Sequence, residues 1–162
     1  MFEFFNVKLG IDAKKIIVCG RSIGSGPAVH LAAKYNPRCM FLISPIKSVV
    51  SIARKLCGNL ANILMDERFD NVKVANKVKC PVALFHGIED NMVSYMDSIS
   101  LLMEGFTHAK AHLFLRQEMT HNKFDYDNDL IKPIKYFLKC HNIVIYDNKK
   151  AKPNLNCDDA FS

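Results

Sequence analysis

The six cysteines of this sequence include no C-x-x-C pair, which argues against a zinc ribbon or a thioredoxin-type redox motif. There is no N-x-S/T sequon, and no run approaches the ~20 apolar residues of a membrane span. The opening Met1-Phe2-Glu3-Phe4-Phe5 lacks the basic n-region and long apolar core of a secretory leader, and no myristoylation glycine follows Met1. These absences lead us to expect a reducing, cytoplasmic setting and no transmembrane segment. The net charge is +6, but the lysines are scattered, and the densest basic run, Lys149-Lys150-Ala151-Lys152, lies near the C-terminus. Without a basic stripe interleaved with aromatics, no nucleic-acid partner is expected, only a mildly basic solvated surface. No pair among the six histidines shows metal spacing on one face, so neither a metal nor another cofactor is expected. The glycines at 20, 24 and 26 are followed by no Gly-Lys-Ser/Thr and do not give G-x-G-x-x-G, which removes the phosphate-loop and dinucleotide readings.

What is present is a chain of 162 residues, 49% apolar, long enough for one domain with its own core. Short apolar runs alternate with helical patterns. Strands are expected at 16–19, 38–44, 81–85 and 109–115. Residues 2–9 read as the end of a helix capped by Gly10, and 12–15 as a turn. A helix should run from the glycines to about Tyr35, where Asn36-Pro37 ends it. From 48 to about 65, apolar residues at Val49, Ile52, Ala53, Leu56, Leu60, Ile63 and Leu64 fall at helical intervals, with Gly58-Asn59 as a break. Further helices are expected at 72–78, 92–103 (capped by Gly105) and 129–140, the last despite Pro133. Residues 146–162 read as a loose polar tail. Strand and helix in alternation predict an α/β fold, a three-layer α/β/α parallel sheet. Cys19, Cys39 and Cys80 sit in or beside apolar runs and should behave as small buried hydrophobes.

The chemistry centres on Gly20-Arg21-Ser22-Ile23-Gly24. A β-branched run leads in and a helix-compatible run leads out, so G-x-S-x-G reads as a nucleophile elbow with Ser22 at the tip of a sharp strand-to-helix turn. Gly20 and Gly24 are expected at positions where a Cβ would clash. A serine hydroxyl needs a base, and the base needs a carboxylate. His86-Gly87-Ile88-Glu89-Asp90 follows the third strand, and Met119-Thr120-His121-Asn122 follows the fourth. Ser22, Asp90 and His121 therefore come in the order Ser…Asp…His, each just past a parallel strand, where open α/β sheets carry their sites. Glu89 is the competing carboxylate. Asp90 has the alternative role of capping the next helix. His86 is a second candidate base, although a His-Gly step at a strand end suits a packed structural histidine. His30, His108, His112 and His141 have no motif around them.

At these residues the chain resembles a known family. G-R-S-I-G-S-G-P, L-I-S-P, F-D-N-V-K-V-A-N-K-V-K-C-P-V, F-H-G-I-E-D-N-M-V and T-H-N-K-F look like α/β-hydrolase-domain serine hydrolases, nearest the eukaryotic subgroup that includes protein depalmitoylases. The likeness runs from about residue 5 to 140. It implies Ser22 as nucleophile, Asp90 as acid, His121 as base and the Ile23 backbone N–H as an oxyanion donor. It implies hydrolysis of acyl esters or thioesters, a lipidated protein among them, through an acyl-Ser22 intermediate. Met92, Val93, Met119 and Phe124 are the apolar neighbours expected to line an acyl pocket, a fairly open one where residues 48–69 replace a large lid.

The family's domain begins with several strands ahead of the elbow strand, and its depalmitoylating subgroup carries a lipidated N-terminal cysteine cluster. Neither is present here. The expectation is a partial α/β-hydrolase domain over 1–145, the C-terminal half of the fold, followed by a tail over 146–162. Such a chain should be a weak or inactive hydrolase that dimerises or aggregates through the open edge of its first strand. Peripheral membrane attachment would belong to an intact protein with a lipidated N-terminus. Two other classes stay open, a non-catalytic binding module or truncated product, and a serine peptidase on the same fold.

Overall fold

β-branched and aromatic residues gather in four short runs, and each run forms a strand. A computed structural model describes residues 2–57 and 69–145. The strands β1 (Ile17–Arg21), β2 (Cys39–Ile43), β3 (Val82–Gly87) and β4 (Ala111–Arg116) make one parallel sheet in the order β1-β2-β3-β4. Ile17 pairs with Cys39, Met40 with Val82, and Val82 with Ala111, so the strands start nearly flush and their carboxyl ends share one edge of the sheet. β3 is buried along its whole length and β2 nearly so, as expected for parallel strands covered on both faces.

Helices cover both faces. On one, α1 (Ser25–Tyr35) buries Ala28, Val29 and Ala32 against Val18, Met40, Leu42 and Leu84. The same core takes in Ala75 of α3 (Asn71–Ala75), with Leu101 and Phe106 beyond α4 (Tyr95–Ser100). On the other face, Phe137 of α5 (Lys132–Cys140) packs with Leu130 on Cys39, Phe41, Ala83 and Phe85. Phe41 meets Phe85 and Phe137 edge-on, at ring-centroid separations of 6.2 and 5.8 Å. The remaining helix, α2 (Val49–Cys57), follows β2. No helix among the described residues is long and apolar enough to cross a membrane.

Several expected boundaries move, each for a local reason. β1 continues through Gly20 and Arg21 because the ladder to Leu42 and Ile43 goes on pairing. α4 begins at Tyr95 rather than at 92, with the Ser94 hydroxyl accepting from Met96 N as its cap. α3 is shorter than expected and starts behind Asp70, whose side chain caps it. α2 is described only to Cys57, so the rest of the expected 48–65 helix, and the tail over 146–162, lie outside the described residues. The N-terminal segment turns helically over Phe4–Lys8 and leaves through Gly10 at φ 64°.

Two of the three cysteines expected to be buried are. Cys39 and Cys80 are buried, and burial pushes their thiols up to about 12 and about 11, so they behave as inert hydrophobes. Cys19 is exposed instead. Along β1, Val18 and Gly20 turn inward, whereas Cys19 and Arg21 turn out on the face where α5 reaches β2 and β3 but leaves Cys19 open.

One close approach fixes how β3 meets the β4 loop. A Cβ added at Gly87 would lie 1.7 Å from the Met119 carbonyl oxygen and 2.4 Å from its carbon, both backbone atoms. Gly87→Ala should therefore destabilise the fold by at least about 2 kcal/mol in urea titration. A variant as stable as the parent would contradict this packing.

Candidate active site

The carboxyl edge of the sheet gathers all three polar residues singled out in the sequence. β1 ends at Arg21, and Ser22 takes φ 52°, a left-handed conformation that costs a non-glycine residue about 1–2 kcal/mol. Helical geometry begins at Ser22–Gly24 and passes into α1. N–H groups of a first turn have no intrahelical acceptor, and the Ile23 N–H belongs to that turn. Gly20 is required, since its Cβ would meet Gly24 O and Ala28 Cβ at 2.7 Å each. Gly24 departs from expectation, because a Cβ there meets nothing within 4 Å. Its φ is an ordinary −65°.

A buried polar network holds the elbow from below. Ser25 Oγ donates to the Ser22 carbonyl at 2.6 Å and accepts from Ile46 N at 3.1 Å. Asn71 Nδ2 donates to the Ile46 carbonyl at 2.8 Å. Ser25 and Asn71 are fully buried, so the elbow is tied to the β2–α2 loop through groups that have no access to water.

Asp90 sits just beyond β3, and its two oxygens have separate tasks. Oδ1 accepts from Met92 N and Val93 N, each at 2.9 Å. Oδ2 accepts from His121 Nδ1 at 2.8 Å and lies 3.5 Å from His86 Nε2. Burial is the strongest single influence on this carboxyl and acts upward. The Val93 amide, the His121 hydrogen bond and the nearby Ser44 hydroxyl outweigh it together and hold Asp90 below the usual carboxylate range. Ser44, buried at the end of β2 with φ 44°, faces the carboxylate without a hydrogen bond of full geometry. With Nδ1–H given to Asp90, the neutral His121 ring keeps Nε2 as a bare acceptor.

His86, the other candidate base, is engaged on both nitrogens. Nε2 faces the Val93 carbonyl at 3.1 Å and so carries the proton, while Nδ1 accepts from Ser98 Oγ at 2.7 Å. The ring is fully buried. Burial keeps it below the ordinary histidine value against the Val93 carbonyl and the Asp90 and Asp97 charges. It is a structural strut behind Asp90.

Asp90 and His121 are brought into direct contact; Ser22 Oγ makes no hydrogen bond to His121 in this structure. In free enzymes such bonds are often long and tighten on substrate. The link between the two loops is Arg21, which donates to the His121 carbonyl and to Asn122 Oδ1.

Beside Ser22 opens a cavity of about 500 Å³. Ile23, Met92 and Val93 line it with Asn91, and Ile46 closes one side. The facing wall is the i, i+3, i+4 stripe of α2: Val49, Ile52 and Ala53. Met119 and Phe124 are not part of the lining: Met119 is buried against Gly87, and Phe124 lies against Tyr126 and under Arg21. The α2 wall was visible as an apolar helical stripe, but nothing local marked it as facing Ser22. Among the described residues, no group of three or more His, Cys, Asp or Glu is arranged to hold a metal ion.

No family model matches the chain. Among solved structures, the Pyrococcus furiosus esterase PF2001 aligns with a TM-score of 0.65 at 17% identity, covering 86% of this chain and 58% of its own. The Pyrococcus horikoshii acylaminoacyl peptidase aligns at 0.63 and 15% identity, over 99% of this chain and 28% of its own. The fold is that of the α/β-hydrolases. By sequence, this chain is similar to the alpha/beta hydrolase domain-containing protein aho-3 of Caenorhabditis elegans, at 30% identity over 100 residues. That match covers 62% of this chain and 29% of the relative. The alpha/beta hydrolase domain-containing protein 17B of Homo sapiens is 30% identical over 94 residues, 58% of this chain and 32% of the relative. The chain thus matches about a third of the length of these relatives.

Two measurements check this geometry. Gly20→Ala should cost at least about 2 kcal/mol, whereas Gly24→Ala should stay within about 1 kcal/mol of the parent in urea. The second concerns His86. Its folded value is depressed, so the unfolded chain takes up a proton first as pH falls below about 6.5. Stability should be full above that pH and decline below it, and His86→Gln should lack that share of the decline. Burial and His112 depress His141 in the same direction, so the difference between parent and variant is the quantity to read. Parallel pH profiles would overturn the neutral, buried assignment.

Proposed function

We propose that this chain supplies the nucleophile, acid and base of a serine hydrolase acting on acyl esters or thioesters. The observation that carries the reading is the His121–Asp90 hydrogen bond of 2.8 Å at the same sheet edge as the strained Ser22, beside an apolar cavity. In the proposed reaction, His121 Nε2 takes the proton of Ser22 Oγ as the oxygen attacks the acyl carbonyl. The oxyanion is received by the Ile23 N–H. As the C–O or C–S bond breaks, His121 returns the proton to the leaving alkoxide or thiolate, leaving acyl-Ser22. Water, deprotonated by His121, then attacks the acyl carbon, and Ser22 leaves with the proton. Asp90 stabilises the imidazolium through both half-reactions.

The cavity's side chains favour an acyl chain over a peptide. Seven of its nine lining residues are apolar, and none carries a charge. A lipidated protein is a substrate of this class. A peptidase is the competing reading, given the acylaminoacyl peptidase among the structural neighbours.

The test is fluorophosphonate labelling with adduct mapping, followed by turnover of an acyl thioester series against peptidyl amides. Labelling should map to Ser22 and vanish in Ser22→Ala, and kcat/KM should rise about fourfold per added CH₂ until the cavity is full, reflecting ~0.8 kcal/mol per buried CH₂. A preference for peptidyl amides would establish the peptidase reading. A Ser22 that never labels would favour a non-catalytic binding module.

A further inference from the structure

We infer that Arg21 is a positioning residue, whose guanidinium clamps the loop carrying His121 and thereby aims the imidazole at Ser22. The inference rests on the serine-hydrolase reading of the site. β1 and β4 are opposite edges of the described sheet. Three strand spacings of roughly 4.8 Å put them about 14 Å apart. A base borne on the β4 loop must therefore reach back across β3 and β2 to a serine on β1. That loop is held over β3 by Met119 pressed on Gly87, by His121 Nδ1 bonded to Asp90 and by Asn122 Nδ2, 4.0 Å from Met92 Sδ. A ring held only through Nδ1 can still pivot about that hydrogen bond, swinging Nε2 past its target.

Arg21 supplies a second point on the β1 side. Its Nη2 donates to the His121 carbonyl at 2.5 Å and to Asn122 Oδ1 at 2.9 Å, across 100 residues of sequence. Its guanidinium carbon stands 6.0 Å from the centre of the Phe124 ring, three residues beyond His121. The base is thus held at its ring by Asp90 and at its backbone by the residue next to the nucleophile. The clamp is built on the peptide that carries Ser22, so any shift of the elbow moves the base with it. One Nη2 amino group serves both acceptors while the planar guanidinium faces an aromatic ring, a combination that a lysine ammonium reproduces only in part. Misplacement of a reacting group by ~1 Å costs about 100-fold in rate, which sets the size of effect to look for.

The test compares Arg21→Met, Arg21→Lys and Asn122→Ala with the parent. It reads the Ser22-dependent fluorophosphonate labelling rate at saturating probe, and the exchange of the His121 Nδ1 proton by NMR. Arg21→Met should slow labelling about 10–100-fold through the maximal rate rather than probe affinity. His121 proton exchange should quicken, while thermal stability and the His86 signals stay near the parent's. Arg21→Lys should recover part of the loss, and Asn122→Ala should show a smaller one. Unchanged labelling and unchanged His121 exchange in Arg21→Met would overturn the inference. Should Arg21→Met not fold, an Asn122→Ala protein with both readouts unchanged would overturn it too. If labelling does not depend on Ser22 at all, the hydrolase reading has failed instead, and the exchange readout alone decides whether Arg21 holds the loop.

Discussion

A buried carboxylate has to be compensated on every side, and the upper edge of this sheet is arranged around meeting that demand at Asp90. The donors come from separate parts of the chain: the Met92 and Val93 amides ahead of α4, and the His121 ring beyond β4. His86, on β3, closes the remaining approach. One charge therefore joins the two loops, beside the packing of Met119 on Gly87. It also explains why α4 starts late, because amides that would otherwise extend the helix are turned toward Asp90.

Beneath that edge, close packing comes from atoms that are absent as much as from those present. Gly20 admits Ala28 and the Gly24 carbonyl, and Gly87 admits the Met119 backbone. Between these contacts, Ser25 and Asn71 bind the elbow to the β2–α2 loop. A buried network of directed hydrogen bonds tolerates few alternative arrangements, so it specifies geometry more than it adds stability. Ser22 can then hold a left-handed conformation that its surroundings, not its own preference, determine.

What could be read in advance followed from locality. β2 and β3 were plain because strands buried on both faces are continuous apolar runs, closed here by Pro45 and Gly87. Ser22, Asp90 and His121 stood out because each follows such a run within a few residues. Contacts across the chain left no such mark. Arg21 looks like a filler position within G-x-S-x-G, since its acceptors lie 100 residues away. Asn71 was hidden in a connector, although its amide reaches Ile46. Met119 and Phe124 misled for the opposite reason: they neighbour His121 in sequence, but the Thr120–Lys123 turn directs them into packing and away from the cavity. Gly24 was assigned a steric role by its place in a motif, and the space around it shows none.

The wall formed by Val49, Ile52 and Ala53 belongs to α2, a different element from those that carry Ser22, Asp90 and His121. Under the proposed reading, bond-making lies at strand ends, while the cavity is shaped partly by a separate helical stripe. Changes along that stripe alter bulk and contour while leaving Ser22, Asp90 and His121 where they are. On that reading, a lineage carrying this layout can drift from one guest molecule to another without rebuilding its reactive centre.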